Sequence, residues 1–214
     1  MASNHINRTM NNPNSIYETI IDQLIANQYA ETDFLLPSNL LTQLRDILLL
    51  NLANGNFKTA GTGNKTNLNI NEAVRNDKIL WIDNNNDAFD HIASPEKDYF
   101  LAVQAFYNYL NETCYTGIQS GEFHYAVYEP GSFYKKHIDR FKNDDSRKFT
   151  FITYLNPDWL PSYGGQLAIY LPKQTTPVYM NPNFGKTVIF KSHILAHEVL
   201  PATRQRLSIT GWLK

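Results

Sequence analysis

From residue 122 onward the chain consists of short apolar or alternating runs separated by turn residues, and this pattern limits the fold more than any other feature. The runs are 123–128, 149–155, 167–171, 187–190, 197–200 and 207–213. Between them stand Glu129-Pro130-Gly131, Asn156-Pro157-Asp158, Gly164-Gly165 and Asn181-Pro182-Asn183. Such runs have the length of strands and are too short for helices. Many short strands with Pro, Gly and Asn punctuation predict a β-sandwich or barrel, here a double-stranded β-helix or jelly roll. Thirteen Tyr and twelve Phe favour the same aromatic-rich β core.

The preceding half reads differently. Residues 1–14 are polar and Asn-rich and are expected to form a disordered leader. Ser15-Ile16-Tyr17-Glu18 fits a capping box, followed by Ile20, Ile21, Leu24 and Ile25 at helical spacing, so 16–27 is predicted as an amphipathic helix. A short strand is expected over 29–35. Pro37-Ser38 then opens a second helix with Leu40, Leu41, Leu44, Ile47 and Leu48 on its apolar face, and Gly55 marks its end. Residues 55–76 read as an irregular loop, 78–82 as a strand and 84–87 as a turn. Ser94-Pro95-Glu96 starts a third helix that carries Phe100, Val103, Phe106, Tyr107 and Leu110 inward. The expectation is therefore a mainly β fold with supporting helices. One domain covers 15–214, with 15–121 as support packed on the major sheet and 122–214 as the jelly-roll core.

A formal net charge of -1 gives no electrostatic footprint for nucleic acid or an anionic membrane. Cys114 is the sole cysteine, so an internal disulfide and Cys-based zinc or iron–sulfur sites are excluded within the chain. It is expected to pack on its helix. The apolar run 47–50 is broken at Asn51, so no membrane span is expected, and a reducing cytoplasm is the expected location. Gly61-Thr62-Gly63 lacks the Gly-Lys-Ser/Thr ending and the preceding strand of a phosphate loop.

The chemistry-bearing residues lie between 137 and 206. His137-Ile138-Asp139 ends a strand-like run and places an imidazole and a carboxylate on one face. His197 follows about sixty residues later on another predicted strand. Two histidines and one carboxylate can hold Fe(II) on one face and leave the opposite positions open. Arg206, nine residues after His197, lies in a segment (Leu207-Ser208-Ile209-Thr210-Gly211-Trp212) that reads as buried strand. A buried guanidinium needs a partner. It could grip the far carboxylate of a metal-chelating dicarboxylate, with the Tyr154 hydroxyl assisting. His193 is a rival for the distal ligand, although His197-Glu198-Val199 and the interval to Arg206 favour His197. His124 reads as a core histidine, and His91 and His5 as surface residues.

Taken together, Tyr128-Glu129-Pro130-Gly131, Tyr134-Lys135-Lys136-His137-Ile138-Asp139, Tyr154-Leu155-Asn156, Gly164-Gly165-Gln166-Leu167, His197-Glu198-Val199 and Arg206 resemble the Fe(II)/2-oxoglutarate-dependent dioxygenases. Within them the chain is most similar to the prolyl 4-hydroxylases of the hypoxia-sensing type and their bacterial relatives. Arg75-Asn76-Asp77-Lys78-Ile79-Leu80-Trp81-Ile82 is similar to the segment before the barrel in that group. The resemblance implies His137, Asp139 and His197 as iron ligands, and Arg206 with Tyr154 on the 2-oxoglutarate C5 carboxylate. It puts Tyr128 at the chelating end, Leu167, Thr210 and Trp212 on the pocket wall, and Tyr134 and Arg147 in the substrate cleft. It also implies O₂ as co-substrate, ascorbate as a reductant, a protein or peptide partner presenting a proline, and succinate and CO₂ as products. Glu129, inserted before Pro130-Gly131, and residues 140–148 depart from the pattern. The alternatives are a related oxygenase acting on another residue or a small molecule, and a non-catalytic jelly-roll metal-binding protein.

Overall fold

The computed structural model describes residues 13–61, 69–82, 94–139 and 146–214. His5, His91, the 84–87 turn, residues 62–68 of the expected loop and 140–145 of the other lie outside them. So does the expected leader, apart from Pro13 and Asn14, which open the first helix.

Among the described residues, three helices precede most of the strands. They are α1 (Pro13–Asn27), α2 (Ser38–Ala53) and α3 (Pro95–Cys114). The first corrects the expected capping box. Ser15 lies inside α1, where its carbonyl accepts from Thr19 Oγ1 at 2.9 Å, and Glu18 accepts from the Tyr109 hydroxyl instead of reaching back along its own helix. The start of α3 is as its sequence predicts. The Ser94 side chain accepts from the Lys97 N–H at 3.2 Å, Pro95 occupies the first turn, and Glu96 and Asp98 stand near the positive end of the helix dipole. Cys114 is in helical register with Val103, Tyr107 and Leu110 but, as the last residue of α3, it is exposed rather than packed. Among the described residues no helix is long and apolar enough to cross a membrane.

The strands are β1 (Tyr29–Thr32), β2 (Lys58–Thr59), β3 (Lys78–Trp81), β4 (Gly121–Tyr128), β5 (Tyr134–His137), β6 (Phe149–Tyr154), β7 (Leu167–Tyr170), β8 (Val178–Met180), β9 (Thr187–Lys191), β10 (Ala196–Val199) and β11 (Arg206–Leu213). They form a seven-stranded sheet in the order β1-β9-β6-β11-β4-β3-β2 and a four-stranded sheet in the order β5-β10-β7-β8. The neighbouring strands are antiparallel. Two of the strands, β2 and β8, carry too few residues to show a period and were not legible as strands.

The expected double-stranded β-helix is overturned by this topology. The chain is a mixed α/β fold with two antiparallel sheets that are not closed into a barrel. Closure needs a continuous main-chain ladder around the whole circuit. Here the edge strands β2, β5 and β8 are two to four residues long. Among the described residues, the pairings beyond the named ladders are isolated bridges: Arg75 with Tyr134, Asn156 with Asn183, and Gly164 with Ala202. Alternation in a sequence reports which residues point inward and is silent on whether sheet edges join.

Side-chain alternation divides the larger sheet into two working faces. On β6, Phe149 and Phe151 pack with Leu44, Leu48, Val103 and Phe106 of the helices, whereas Ile152 and Tyr154 pack with Leu167, Ile169 and Met180 of the smaller sheet. Strand β4 does the same, with Phe123, Tyr125 and Val127 toward the helices and Ala126 and Tyr128 toward the smaller sheet. On β11, Leu207, Ile209 and Leu213 join the helical core, which leaves Arg206, Ser208, Thr210 and Trp212 for the space between the sheets. Gly211 is required where it stands, since an added Cβ would lie 2.1 Å from the Glu122 carbonyl oxygen.

Leu44 is fully buried in the helical core. Leu44→Ala should lower unfolding stability by about 2–5 kcal/mol through lost transfer energy and a residual cavity. In urea denaturation this appears as a lower midpoint with an unchanged m-value; an unchanged midpoint would contradict the assigned core.

Candidate functional site

Strand β5 ends on His137, and the chain turns so that Asp139 points back under it. Strand β10 pairs with β5 with His197 directly opposite His137, so the register brings the two imidazoles together. Their ring centroids are 4.2 Å apart. His137 Nε2 lies 3.3 Å from Asp139 Oδ1, and His197 Nε2 lies 3.5 Å from Asp139 Oδ2. One ligand atom from each of the three residues lies within 4.8 Å of the others. Ligands held at roughly 2.1 Å from a metal sit roughly 3 Å apart when adjacent, so the observed spacing suits a shared ion. His193 is exposed in the turn before β10 and takes no part.

The surroundings fix the tautomers. His137 Nδ1 lies 2.7 Å from the Lys135 carbonyl oxygen and His197 Nδ1 lies 3.2 Å from that of Leu195. A carbonyl only accepts, so each Nδ1 carries the proton and each Nε2 offers a lone pair toward Asp139. Burial lowers the His197 pKa to about 4, outweighing the attraction of Asp139, and keeps the ring neutral at ordinary pH. Burial alone would raise the Asp139 pKa, but protonation of His197 or His137 beside it would favour the anion and more than reverses this, so the carboxylate stays ionised even where the rings take up protons. Thr150 donates to Asp139 Oδ2 at 2.8 Å and lies 3.0 Å from the Ser192 hydroxyl. An ionised carboxylate and two imidazoles whose Nε2 atoms face inward form a donor set for a divalent cation of intermediate hardness.

The triad opens on a cleft of about 450 Å³, its mouth included, whose far wall carries Arg206. Arg206 is only 1% exposed. Its Nε donates to the Gly165 carbonyl at 2.9 Å, while Nη2 is buried without a hydrogen-bond partner among the described residues, as is the Tyr154 hydroxyl. The Tyr128 and Tyr154 rings flank the guanidinium at 5.0 and 4.9 Å. Leaving a buried charge-bearing donor unmet costs more than an ordinary hydrogen bond returns, so this end of the cleft is shaped for an anion. The local sequence holds it there. Asn156 accepts from the Leu207 N–H at 2.7 Å and donates to the Leu207 carbonyl at 3.0 Å, pinning the start of β11. Gly165 has φ 70°, and a Cβ on it would press on Ala202 Cβ at 3.0 Å and Arg206 Cδ at 3.3 Å.

Tyr128, Tyr134, Leu167, Thr210 and Trp212 line this cleft with the triad and Arg206. Tyr154 stands beside the Arg206 guanidinium. Arg147 is placed differently: it pairs with Glu122 at 2.9 Å and lies 3.4 Å over the Trp212 ring. Sequence reasoning missed Arg75 and Thr150 as lining residues, and it read His124, which also lines the cleft, as a plain core histidine. The signal for Thr150 was its place on the same face as Ile152 and Tyr154, two and four residues on.

The family described as the 2OG-Fe(II) oxygenase superfamily matches residues 123–214. A prolyl-4-hydroxylase of Pseudomonas putida with a known crystal structure is 32% identical, with a TM-score of 0.80 over 92% of this chain and 98% of that one. The chain belongs to the 2OG-Fe(II) oxygenase superfamily. Within it the chain stands in the prolyl-hydroxylase branch, close to the bacterial and hypoxia-inducible-factor-type enzymes. A Trichoplax adhaerens prolyl hydroxylase, solved with a hypoxia inducible factor oxygen degradation domain peptide fragment, is 28% identical with a TM-score of 0.78 over 94% of this chain and 90% of that one. The hypoxia-inducible factor prolyl hydroxylase of Caenorhabditis elegans is 37% identical over 84 residues, which are 38% of this chain and 12% of that protein. Egl nine homolog 1 of Homo sapiens is likewise 37% identical over 84 residues, 20% of its own length. The chain thus matches a quarter or less of the length of these curated relatives.

His124 supplies a pH test of the cleft. Burial first, then the charges of Arg75 and Arg147, lower its pKa from 6.5 to about 3, opposed by Asp139. The unfolded chain therefore binds a proton that the folded one refuses between about pH 3 and pH 6.5, and stability rises with pH across that window. The thermal midpoint of the metal-free protein should climb through this range, and His124→Gln should flatten part of the climb. An identical pH profile in the variant would contradict the burial assigned to His124.

Proposed function

We propose that this protein is an Fe(II)- and 2-oxoglutarate-dependent dioxygenase that hydroxylates a prolyl residue in a protein or peptide substrate. The observation that carries the reading is the pairing, in one cleft, of a two-histidine, one-carboxylate donor set with a buried, half-satisfied arginine. His137, Asp139 and His197 would hold the metal. The guanidinium of Arg206 and the hydroxyl of Tyr154 would take the far carboxylate of 2-oxoglutarate, which supplies the two free acceptor oxygens that the wall lacks. When bound, the iron and its co-substrate supply the oxidative chemistry, consuming O₂ and releasing succinate and CO₂.

The protein's own contribution is placement and dryness. Thr150 fixes the Asp139 carboxylate, and the carbonyls of Lys135 and Leu195 fix the two rings. Leu167 and Thr210 line the same cleft as the triad and Arg206. Support for a prolyl target comes from the likeness to prolyl hydroxylases, and support for a peptide from the Trichoplax complex. Trp81, 49% exposed, has its ring centroid 6.3 Å from that of the cleft-lining Trp212, and this aromatic surface would suit a proline ring. Arg147, held over Trp212, would stand beside the entering chain rather than in the cleft. Ascorbate as a reductant and a reducing compartment such as the cytoplasm complete the reading, since both keep an oxidisable metal ferrous.

Asp139→Ala should abolish succinate formation coupled to addition of one oxygen atom to a proline-bearing peptide, read by mass spectrometry, while circular dichroism stays native. Retained coupled turnover would sink the metal assignment. Arg206→Ala should raise the apparent 2-oxoglutarate requirement by about tenfold to a hundredfold, the worth of a charged hydrogen-bonded pair, with metal affinity little changed. Equal loss of both would argue against the anchor role.

A further inference from the structure

The metal ligand His137 is held by a layered stack that begins on a different part of the chain. The His137 and Tyr134 rings lie parallel, with centroids 3.5 Å apart and planes 14° apart. On Tyr134 sits Arg75, its Cζ 4.2 Å from the ring centroid. Arg75 is itself fixed. Its Nε donates to Asp77 Oδ1 at 2.8 Å and its Nη2 to Asp77 Oδ2 at 2.6 Å, a two-pronged pair with a fully buried carboxylate, while Nη1 donates to the Gly61 carbonyl at 3.3 Å. The backbone repeats the link. Arg75 bridges Tyr134, the Lys135 N–H donates to the Val74 carbonyl at 2.9 Å, and the Phe133 N–H donates to Asn76 Oδ1 at 2.8 Å. Residues 74–77 therefore tie the edge of the smaller sheet to the strand that enters the larger one.

His137 needs such support. It ends a four-residue edge strand, and its side chain is more exposed than those of Asp139 and His197. Its Nδ1 bond to the Lys135 carbonyl sets one direction in the ring plane but leaves the ring free to tilt about that bond. A parallel aromatic face removes the tilt, and a desolvated guanidinium on the far side of that face holds the aromatic ring in turn. The Asp77 carboxylate neutralises Arg75, so the stack delivers alignment to the ligand without leaving an uncompensated cation beside the site.

We propose that Arg75 and Tyr134 are positioning residues for the metal: the Asp77–Arg75–Tyr134–His137 stack pre-orients the His137 ring and so sets metal affinity. The inference rests on the metal reading given under Proposed function and adds residues outside the ligand set. It also gives Tyr134 a role that does not depend on the identity of the substrate. Partners that orient a ligating histidine typically change metal affinity by about tenfold to a hundredfold when removed.

The test is Mn(II) binding to the full chain without 2-oxoglutarate, by isothermal titration calorimetry and by the Mn(II) electron paramagnetic resonance signal. Tyr134→Ala should weaken binding by about tenfold or more, and Tyr134→Phe, which keeps the ring, should bind like the wild type. Arg75→Met combined with Asp77→Asn, which removes the cation without stranding a buried carboxylate, should weaken binding severalfold. Added to Tyr134→Ala, it should cost nothing further, because the intermediate layer is gone. Thermal midpoints of all variants separate folding from positioning. Wild-type affinity in a folded Tyr134→Ala would overturn the proposal, as would full additivity of the two sets of changes. Failure of the wild-type chain to bind Mn(II) would instead sink the metal reading itself.

Discussion

The central strands of the larger sheet, β4, β6, β9 and β11, are buried on both faces, and the rest of the structure follows from that constraint. One face takes the three helices, the other takes the smaller sheet, and the alternation along β4, β6 and β11 sends successive residues to opposite environments. Full burial of a sheet excludes water from the side that faces the smaller sheet. Polar groups placed there have only each other, or a guest, as partners. Arg206, Tyr154, Thr150 and His124 are such groups, and they sit where the helical face offers only apolar alternatives.

Dryness sharpens the electrostatics at both ends of the cleft. At the metal end, burial favours a neutral His197 imidazole, Asp139 is held as the anion, and Thr150 donates to its carboxylate. At the other end, a guanidinium is held by one backbone carbonyl and flanked by two phenol rings, with a donor to spare. An acidic chelator with a second carboxylate fits between them, because one end meets a cation at the triad and the other meets Arg206. The same low dielectric that makes the unmet donor costly in the free protein makes its contact with a carboxylate strong.

The parts of this arrangement differ in how legible they were. Apart from the short β8, strand positions over 122–214 were readable because period-two alternation and Pro, Gly and Asn turns mark them, and the helices because their leucine and aromatic stripes are long. The triad and Arg206 were readable from residue type and spacing. The topology was not, since the joining of sheet edges depends on main-chain bonds that side-chain pattern does not encode; the expected roll gave way to two open sheets. The capping box at Ser15 failed because helix α1 continues N-terminally past it. Arg147 was placed in the cleft from its position in the chain, yet Glu122, twenty-five residues earlier, claims its guanidinium. Arg75 was legible only as part of a familiar segment and not as a site residue, because its contacts are with Asp77, Gly61 and Tyr134, and folding is needed to bring Gly61 and Tyr134 to it.

The central claim is that one cleft holds a divalent metal at His137, Asp139 and His197 and a dicarboxylate between that metal and Arg206. A crystal structure of the protein with Mn(II) and an unreactive 2-oxoglutarate analogue tests it most directly. The account predicts the ion on His137 Nε2, Asp139 and His197 Nε2, with the far carboxylate of the analogue on the Arg206 guanidinium and the Tyr154 hydroxyl. An ion on other residues, or an analogue that leaves Arg206 Nη2 unpartnered, would contradict it.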